Sequence, residues 1–306
     1  MSNPLSNGLS ISSEWLVWIR QALAIMRLET KKSFLGRRLV AVYFLALAPV
    51  VVLLIRVFAP LQPEQLGTPG EAGMVYAIVF QTFVLRFAVF FGCMSIFTNL
   101  FRREVMEKTL HFYLLAPAKR EVLVVGKYFS GLLAALVFFV GSTIACFLLV
   151  YVPYGNGYMK EFFVEGVGME HLLTYSSVTA MACVGYGAVF LLIGLYFRNP
   201  IFPAGALLGW ETINFVLPSF LQKISIVHYL QSLCPVPLPP GPLAIISEPT
   251  SAWVSVPGFA GLTILIILAS AIRVSRLEVT YSADRGASPS IRVVIRADLF
   301  QSPTGV

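Results

Sequence analysis

Charged residues are scarce in this chain of 306 residues. Asp, Glu, Lys and Arg make up only 12% of it, whereas hydrophobic residues make up 57%, and the mean hydropathy is +0.80. Soluble domains carry about 25% charged residues, so this chain has too few to cover a water-facing surface. The scarcity excludes a soluble globular domain and indicates an integral membrane protein.

The chain also lacks the motifs that bind nucleotides or carry out covalent chemistry. There is no G-x-x-x-x-G-K-[ST], because Gly126-Lys127 is followed by Tyr128 and lacks the preceding glycine. H-E-x-x-H, C-x-x-C and G-x-S-x-G are absent too. The three histidines fall in different loops. We therefore expect a non-catalytic chain with no metal site and no cofactor of its own.

Cysteine is sparse, and no pair suggests a disulfide framework. Cys93, Cys146 and Cys183 lie inside apolar runs, and Cys234 lies in a proline-rich loop. The opening residues lack the basic segment of a signal peptide, so we expect no cleavage.

Six apolar stretches are long enough to cross a bilayer, which takes about 20 helical residues. The predicted spans are Leu39–Phe58, Met74–Leu100, Val122–Val152, His171–Phe197, Ile201–Leu221 and Val254–Ile272. Only the turn Arg198-Asn199-Pro200 separates spans four and five, so these two should be antiparallel. The predicted fold class is an all-α membrane protein with six transmembrane helices.

Lys and Arg cluster on one side of this predicted topology. They precede span one, occupy the segment between spans two and three and follow span six, whereas the loops of the other side hold only Lys160 and Lys223. The positive-inside rule then places both termini in the cytoplasm. The predicted organisation is a cytoplasmic N-terminus (1–38), a membrane domain (39–274) and a cytoplasmic tail (275–306). The net charge of +7 is thus a topology signal, and no basic-aromatic module predicts nucleic-acid binding.

The N-terminal segment has the pattern of an amphipathic helix in the membrane interface. Its apolar residues recur at helical spacing on one stripe: Trp15, Trp18, Ile19, Ala22 and Met26. A basic anchor that merely flanks span one is the alternative.

Residues 218–253 form a second unusual segment, on the outer side. Pro218 should break or kink span five, and the apolar residues after it, with His228 and Tyr229, predict a helix that reaches partly back into the membrane as an outer gate. The prolines that follow favour a stiff, extended chain. An ordinary surface loop is the alternative.

Two charged residues are predicted deep within spans. Arg86 lies about twelve residues into span two and Glu211 about ten into span five, so both fall near mid-membrane at a rise of about 1.5 Å per residue. Burial there costs at least about 2.5 kcal/mol per charge, so we expect the two to pair or to face one water-filled cavity. A static salt bridge and a cargo path remain equal alternatives. Three polar residues share these spans and usually bond to neighbouring helices: Gln81, Asn99 and Asn214.

The charged segment 101–127 lies between spans two and three. It contains, in order, Phe101, Glu104, Thr109-Leu110, Leu114-Leu115, Pro117, Arg120 and Gly126-Lys127. This order resembles the membrane subunits of type-2 ABC exporters, the ABC-2 permease family, and the six spans, amphipathic start and broken span five fit the same family. Lys108 departs from the pattern, because the family often has a small residue there.

The resemblance implies that a short helix in this segment docks into a cleft on a cytoplasmic ABC ATPase. The implied coupling residues are Arg103, Glu104, Glu107, Lys108, Thr109, Leu110, Leu114, Leu115, Pro117, Arg120 and Lys127. It further implies two ATPase chains that bind ATP and Mg, a second permease copy or a paralogue, and alternating access in the cell (inner) membrane. An aromatic-rich apolar lining would favour amphipathic or lipid-like cargo.

Two other classes of function are alternatives. An ion-coupled secondary transporter, which needs no ATPase, should show inverted repeats with matching broken helices, and the proline-interrupted span five has no counterpart in span two. A membrane-embedded enzyme or scaffold should cluster His, Asp or Glu at the bilayer face, whereas this chain scatters them.

Overall fold

The structure is a computed structural model that describes residues 18–28, 30, 40–58, 67–106, 120–197, 199–213, 225–236, 252–275, 278–281 and 291–294. For residues 101–106, 120–121, 252, 275 and the strands it describes the backbone alone. This part of the chain is nearly all helical, as the apolar composition requires, because a backbone in hydrocarbon must satisfy its own hydrogen bonds.

Nine helical segments succeed one another in the described chain. They are α1 (18–28), α2 (Val40–Phe58), α3 (Pro69–Val79 continuing through Phe80–Val89 to Phe90–Met106), α4 (Arg120–Tyr151), α5 (Gly155–Lys160), α6 (Gly168–Tyr196), α7 (Ile201–Ile213), α8 (Ile226–Ser232) and α9 (Ala252–Ser275). Short 3-10 and π turns, Val152–Tyr154 and Glu161–Glu165, flank α5.

Five of the described helical stretches are long and apolar enough to cross a membrane. They are Val40–Phe58, Pro69–Leu100, Val122–Glu165, Gly168–Tyr196 and Trp253–Val274. These stretches contain most of predicted spans one, two, three, four and six. Predicted span five corresponds to α7, which is described only to Ile213; its remainder lies outside the described residues.

Helix α3 begins at a complete capping box. The Thr68 hydroxyl accepts a hydrogen bond from the Glu71 backbone N–H (3.3 Å), and the Glu71 carboxylate accepts one from the Thr68 N–H (3.1 Å). Pro69, at the first helical position, needs no hydrogen-bond partner for its nitrogen. Between Phe80 and Val89 the helix widens into π geometry, a rare form that is frequent at functional sites. Arg86 lies in this wide segment.

Helices α3 and α6 pack closely along their length. Phe90 of α3 packs edge-on against Tyr186 (5.3 Å between ring centroids) and Phe190 (4.9 Å) of α6. A Cβ on Gly194 would lie 2.9 Å from the Thr98 Cα, and one on Gly187 would lie 2.6 Å from the Phe97 ring. These glycines let the two backbones approach, which is how small residues favour helix association in membranes.

The two ends of the bundle differ in their contacts. At the end that holds α1, Leu100 and Lys127, here called the basic end, the Arg273 guanidinium lies 4.5 Å from the centre of the Tyr196 ring. At the opposite end, an aromatic cluster joins α3, α4 and α6; it consists of Tyr76, Phe80, Phe147 and Tyr175. Aromatic packing therefore stabilises one end of the bundle, and a cation–π contact helps to stabilise the other.

The tail departs from the all-helical prediction. Two short strands, β1 (Glu278–Tyr281) and β2 (Ile291–Val294), pair antiparallel with Glu278 opposite Val294 and Tyr281 opposite Ile291. Val, Ile, Thr and Tyr dominate both segments, and these residues favour strands.

The α3–α6 contact yields a first prediction. Gly194→Ala should cost about 1–3 kcal/mol, the usual range for overpacking, because its methyl group would press on the Thr98 backbone rather than on a movable side chain. Gly141→Ala is the matched control, since a Cβ there meets nothing within 4 Å. Thermal unfolding in detergent, followed by size-exclusion chromatography, measures both variants. Equal midpoints for the two would contradict the packing described.

Candidate functional site

The predicted coupling segment is partly described. Helix α3 continues to Met106, so the backbone at Arg103 and Glu104 is helical, and α4 begins at Arg120. The remaining predicted coupling residues of the loop lie outside the described residues: Glu107, Lys108, Thr109, Leu110, Leu114, Leu115 and Pro117. The structure thus describes the two helices that flank residues 107–119.

Lys127 joins these two helices directly. Its side chain is fully buried, and its Nζ donates a hydrogen bond to the Leu100 carbonyl oxygen at 3.2 Å. The resemblance grouped Lys127 with the ATPase-coupling residues, and the contact that the structure gives it is internal: it ties the end of α3 to the start of α4. A buried ammonium group needs such an acceptor.

Helix α1 docks at the same place. A Cβ on Gly126 would lie 3.0 Å from the Ile25 side chain and 3.1 Å from the Ala22 carbonyl oxygen, so α1 rests against the start of α4. Thr30 and Ser130 hydroxyls lie 3.3 Å apart. Ile19, which the predicted apolar stripe included, is half exposed, and Trp15 lies outside the described residues. The α1 face that docks includes Ala22 and Ile25.

Replacing Lys127 tests whether it ties the helices together. Lys127→Met keeps an apolar stem of similar length but leaves the Leu100 carbonyl without this donor, so the unfolding free energy should fall by about 1–3 kcal/mol. Lys160→Met is the control, because Lys160 is exposed and surface changes usually stay within about 0.5 kcal/mol. Detergent-solubilised unfolding curves compare them. A Lys127 variant as stable as the Lys160 variant would refute this role.

The intramembrane charges are both buried. Arg86 is 6% exposed and Glu211 is 3% exposed. Tyr186 is fully buried on α6, a helix that packs against both α3 and α7. The structure therefore brings together α3, α6 and α7 around one polar cluster, which consists of Arg86, Tyr186 and Glu211.

The Glu211 carboxylate is held by the start of α8. Its Oε2 accepts hydrogen bonds from the Ser225 hydroxyl (2.8 Å) and the Val227 N–H (3.1 Å), and its Oε1 accepts one from the Ile226 N–H (3.2 Å). These four residues are called the Glu211 cap below. Ser225 has the extended backbone of an N-cap, but its hydroxyl makes no cap bond to the helix. The Glu211 carboxylate, 14 positions earlier in the sequence, caps the helix instead. It lies at the N-terminus of α8, the end that favours negative charge.

The other predicted intramembrane residues divide into three cases. Gln81 is 2% exposed and its Nε2 donates to the Val236 carbonyl oxygen at 2.9 Å, so it joins α3 to the chain that follows α8. The Asn99 amide donates to Ser95 within its own helix. Asn214 lies outside the described residues.

The predicted outer gate is described at α8. Both His228 (5% exposed) and Tyr229 (8%) are buried, and their rings lie 5.6 Å apart. A Cβ on Gly258 of α9 would lie 3.3 Å from the Tyr229 hydroxyl, and the Ser232 and Ser255 hydroxyls are 3.2 Å apart. Pro218 lies outside the described residues. α8 thus lies within the bundle, against α3, α6 and α9.

Sequence reasoning did not identify Ser225 as part of the Glu211 cap or Tyr186 as a member of the polar cluster. Ser225 stands directly before the apolar run Ile226–Leu230, which is a helix-start signal that could have been noticed. Nothing local marks Tyr186, because its membership depends on how α6 packs beside α3 and α7.

The Glu211 cap makes a prediction about exchanging the two charges. Arg86→Glu or Glu211→Arg alone should cost about 3–5 kcal/mol, because each leaves a buried charge uncompensated. The double exchange should not restore the stability lost in either single variant. The Ile226 and Val227 N–H groups need an acceptor, and an arginine side chain at position 211 has only donors. Arg86→Lys, which keeps the sign, is the control. Folded yield in detergent measures all four, and a double variant better than both singles would contradict the cap.

Together, the five apolar helices and the buried intramembrane polar cluster define a multi-pass membrane protein. The sequence model of the ABC-2 family transporter proteins matches residues 26–217, which is more than half of the chain. The chain therefore belongs to the ABC-2 family, and as such is a membrane permease component of an ABC transporter. The comparison with curated proteins gave no match.

Proposed function

We propose that this chain is the permease subunit of an ABC exporter, driven by a separate ATPase that binds the segment between α3 and α4. Membership of the ABC-2 family carries the proposal. The absence of a phosphate-binding loop from the whole sequence supports a separate source of ATP hydrolysis. Two ATPase chains, with ATP and Mg, and a second permease copy or paralogue complete the transporter.

The contacts at the basic end support transmission of movement from that segment. An ATPase that displaces the loop after Met106 pulls on the ends of α3 and α4 together, since Lys127 ties them at Leu100. The close contacts of α3 with Gly187 and Gly194 carry the displacement to α6. Rigid-body tilting of packed helices of this kind is a usual form of switching.

The direction and the cargo follow from charge and lining. The Lys and Arg distribution orients the basic end towards the cytoplasm, where an ATPase has access to the loop. Cargo enters from the cytoplasm or the inner leaflet and leaves past α8 by alternating access. Aromatic and apolar side chains dominate the helices, which favours amphipathic or lipid-like cargo.

Variants in the loop test this proposal. Leu110→Asp and Leu115→Asp should reduce the ATPase that co-purifies by at least about tenfold, because a buried interface anchor commonly contributes about 2 kcal/mol or more. Asn156→Asp, at an exposed position in α5, places the same charge at the opposite end and should have no effect. Quantitative co-purification from membranes measures this.

Two outcomes would overturn the proposal. One is wild-type recovery of the ATPase with both loop variants. The other is uphill transport by the purified chain alone in proteoliposomes, which is the behaviour of an ion-coupled transporter.

A further inference from the structure

The hydrogen-bonding capacity of Glu211 is largely used within the chain. An ionised carboxylate offers about four acceptor sites, and three bonds from Ser225, Ile226 and Val227 occupy most of them. The side chain is 3% exposed. A cargo molecule could therefore reach this carboxylate only after α8 had left it.

The helix that Glu211 caps fills space between three spans. Ile226 lies against Gly185 of α6, Tyr229 lies against Gly258 of α9, and all residues from Ile226 to Leu230 are buried. Beyond the helix, Gln81 of α3 holds the Val236 carbonyl oxygen. Passage along this face of α6 requires α8 to move, and movement of its first turn breaks the Glu211 cap.

Arg86 supplies the opposite charge near this carboxylate, which a buried ion requires. The cap and Arg86 belong to different elements: α8 provides the donors, and the π segment of α3 provides the cation. A tilt of α3 moves Arg86 relative to the carboxylate, and through Gln81 it also moves the chain that follows α8. Movement of α3, the helix that displacement of the loop would tilt, therefore changes the polar cluster.

We propose that Glu211 is a positioning residue of the outer gate, whose carboxylate holds α8 in the closed position, and that it is not a ligand for cargo. This rests on the proposed function for the direction of transport. Opening of the gate separates Ile226 and Val227 from Glu211, and closing restores both bonds.

Hydrogen–deuterium exchange of residues 225–236 tests the cap in the isolated full-length chain in nanodiscs. Glu211→Gln should raise amide exchange there by at least about tenfold, because hydrogen bonds to a charged acceptor are the strong ones. Ser225→Ala, which removes one donor and leaves both charges, should raise amide exchange by about three- to tenfold. This variant keeps the test decisive if Glu211→Gln does not fold. Thr212→Ala is the control, since Thr212 is exposed and bonds to Leu208 in its own helix.

The second arm uses the complete transporter with its ATPase. Trapping with MgATP and vanadate should raise exchange at residues 225–236 in the wild type, and Glu211→Asp should respond in the same direction. Glu211→Gln should already exchange fast and respond no further. If the cap were only structural, Glu211→Gln would still raise amide exchange, but nucleotide would not change amide exchange in the wild type.

The results separate this proposal from the proposed function. If amide exchange in both Glu211→Gln and Ser225→Ala equals that of the wild type, the cap is refuted. If nucleotide does not change amide exchange of the wild type in an active transporter, the role of α8 as a gate is refuted. If no ATPase binds the chain, the exporter function fails instead, while the first arm, which needs no ATPase, still decides whether Glu211 holds α8.

Discussion

Hydrocarbon offers no hydrogen bond, so a polar group within the bilayer is stabilised by a partner inside the protein. This constraint explains the contacts on which the architecture depends. The Lys127 ammonium group reaches the Leu100 carbonyl, the Gln81 amide reaches the Val236 carbonyl, and the Glu211 carboxylate reaches the first turn of α8. Each contact joins two different parts of the bundle, so satisfying a polar group also fixes the tertiary structure.

Helix α3 takes part in two of these contacts, through Leu100 and Gln81. Leu100 at its basic end meets Lys127 of α4, Thr98 and Phe97 lie against the glycines of α6, and Gln81 bonds to the chain that follows α8. One continuous helix therefore runs from the proposed ATPase segment to the proposed gate. Its π segment lies between the two ends, where a wider helical turn reorients Arg86 relative to the regular helix on either side.

Much of the helical framework could be predicted from the sequence, because spanning depends on length and composition alone. Predicted span one, Leu39–Phe58, differs from α2 by one residue. The deep placement of Arg86 and Glu211 within the bundle was also predictable from their positions in apolar runs. The contacts between different elements could not be predicted from the sequence. Glu211 and Ser225 are 14 positions apart in the sequence, and no periodicity predicts that they meet.

Lys127 shows why such contacts escape sequence reasoning. A lysine at the start of a span ordinarily keeps its charge in water, so the sequence did not predict an internal contact for Lys127. The structure buries it completely, because the neighbouring Gly126 admits α1 and the Leu100 carbonyl lies within reach. The tail is a second example: four-residue strands separated by nine residues resemble an irregular tail until their pairing is seen.

The central claim is that an external ATPase moves α3 and α4 as a unit and thereby releases α8. A cryo-electron microscopy structure of the complete transporter, trapped with ATP, tests it most directly when compared with the nucleotide-free state. The account predicts that the Lys127–Leu100 contact is present in both states, whereas the Glu211 cap is broken only in the trapped state. Separation of Lys127 from Leu100 with an intact Glu211 cap would contradict it.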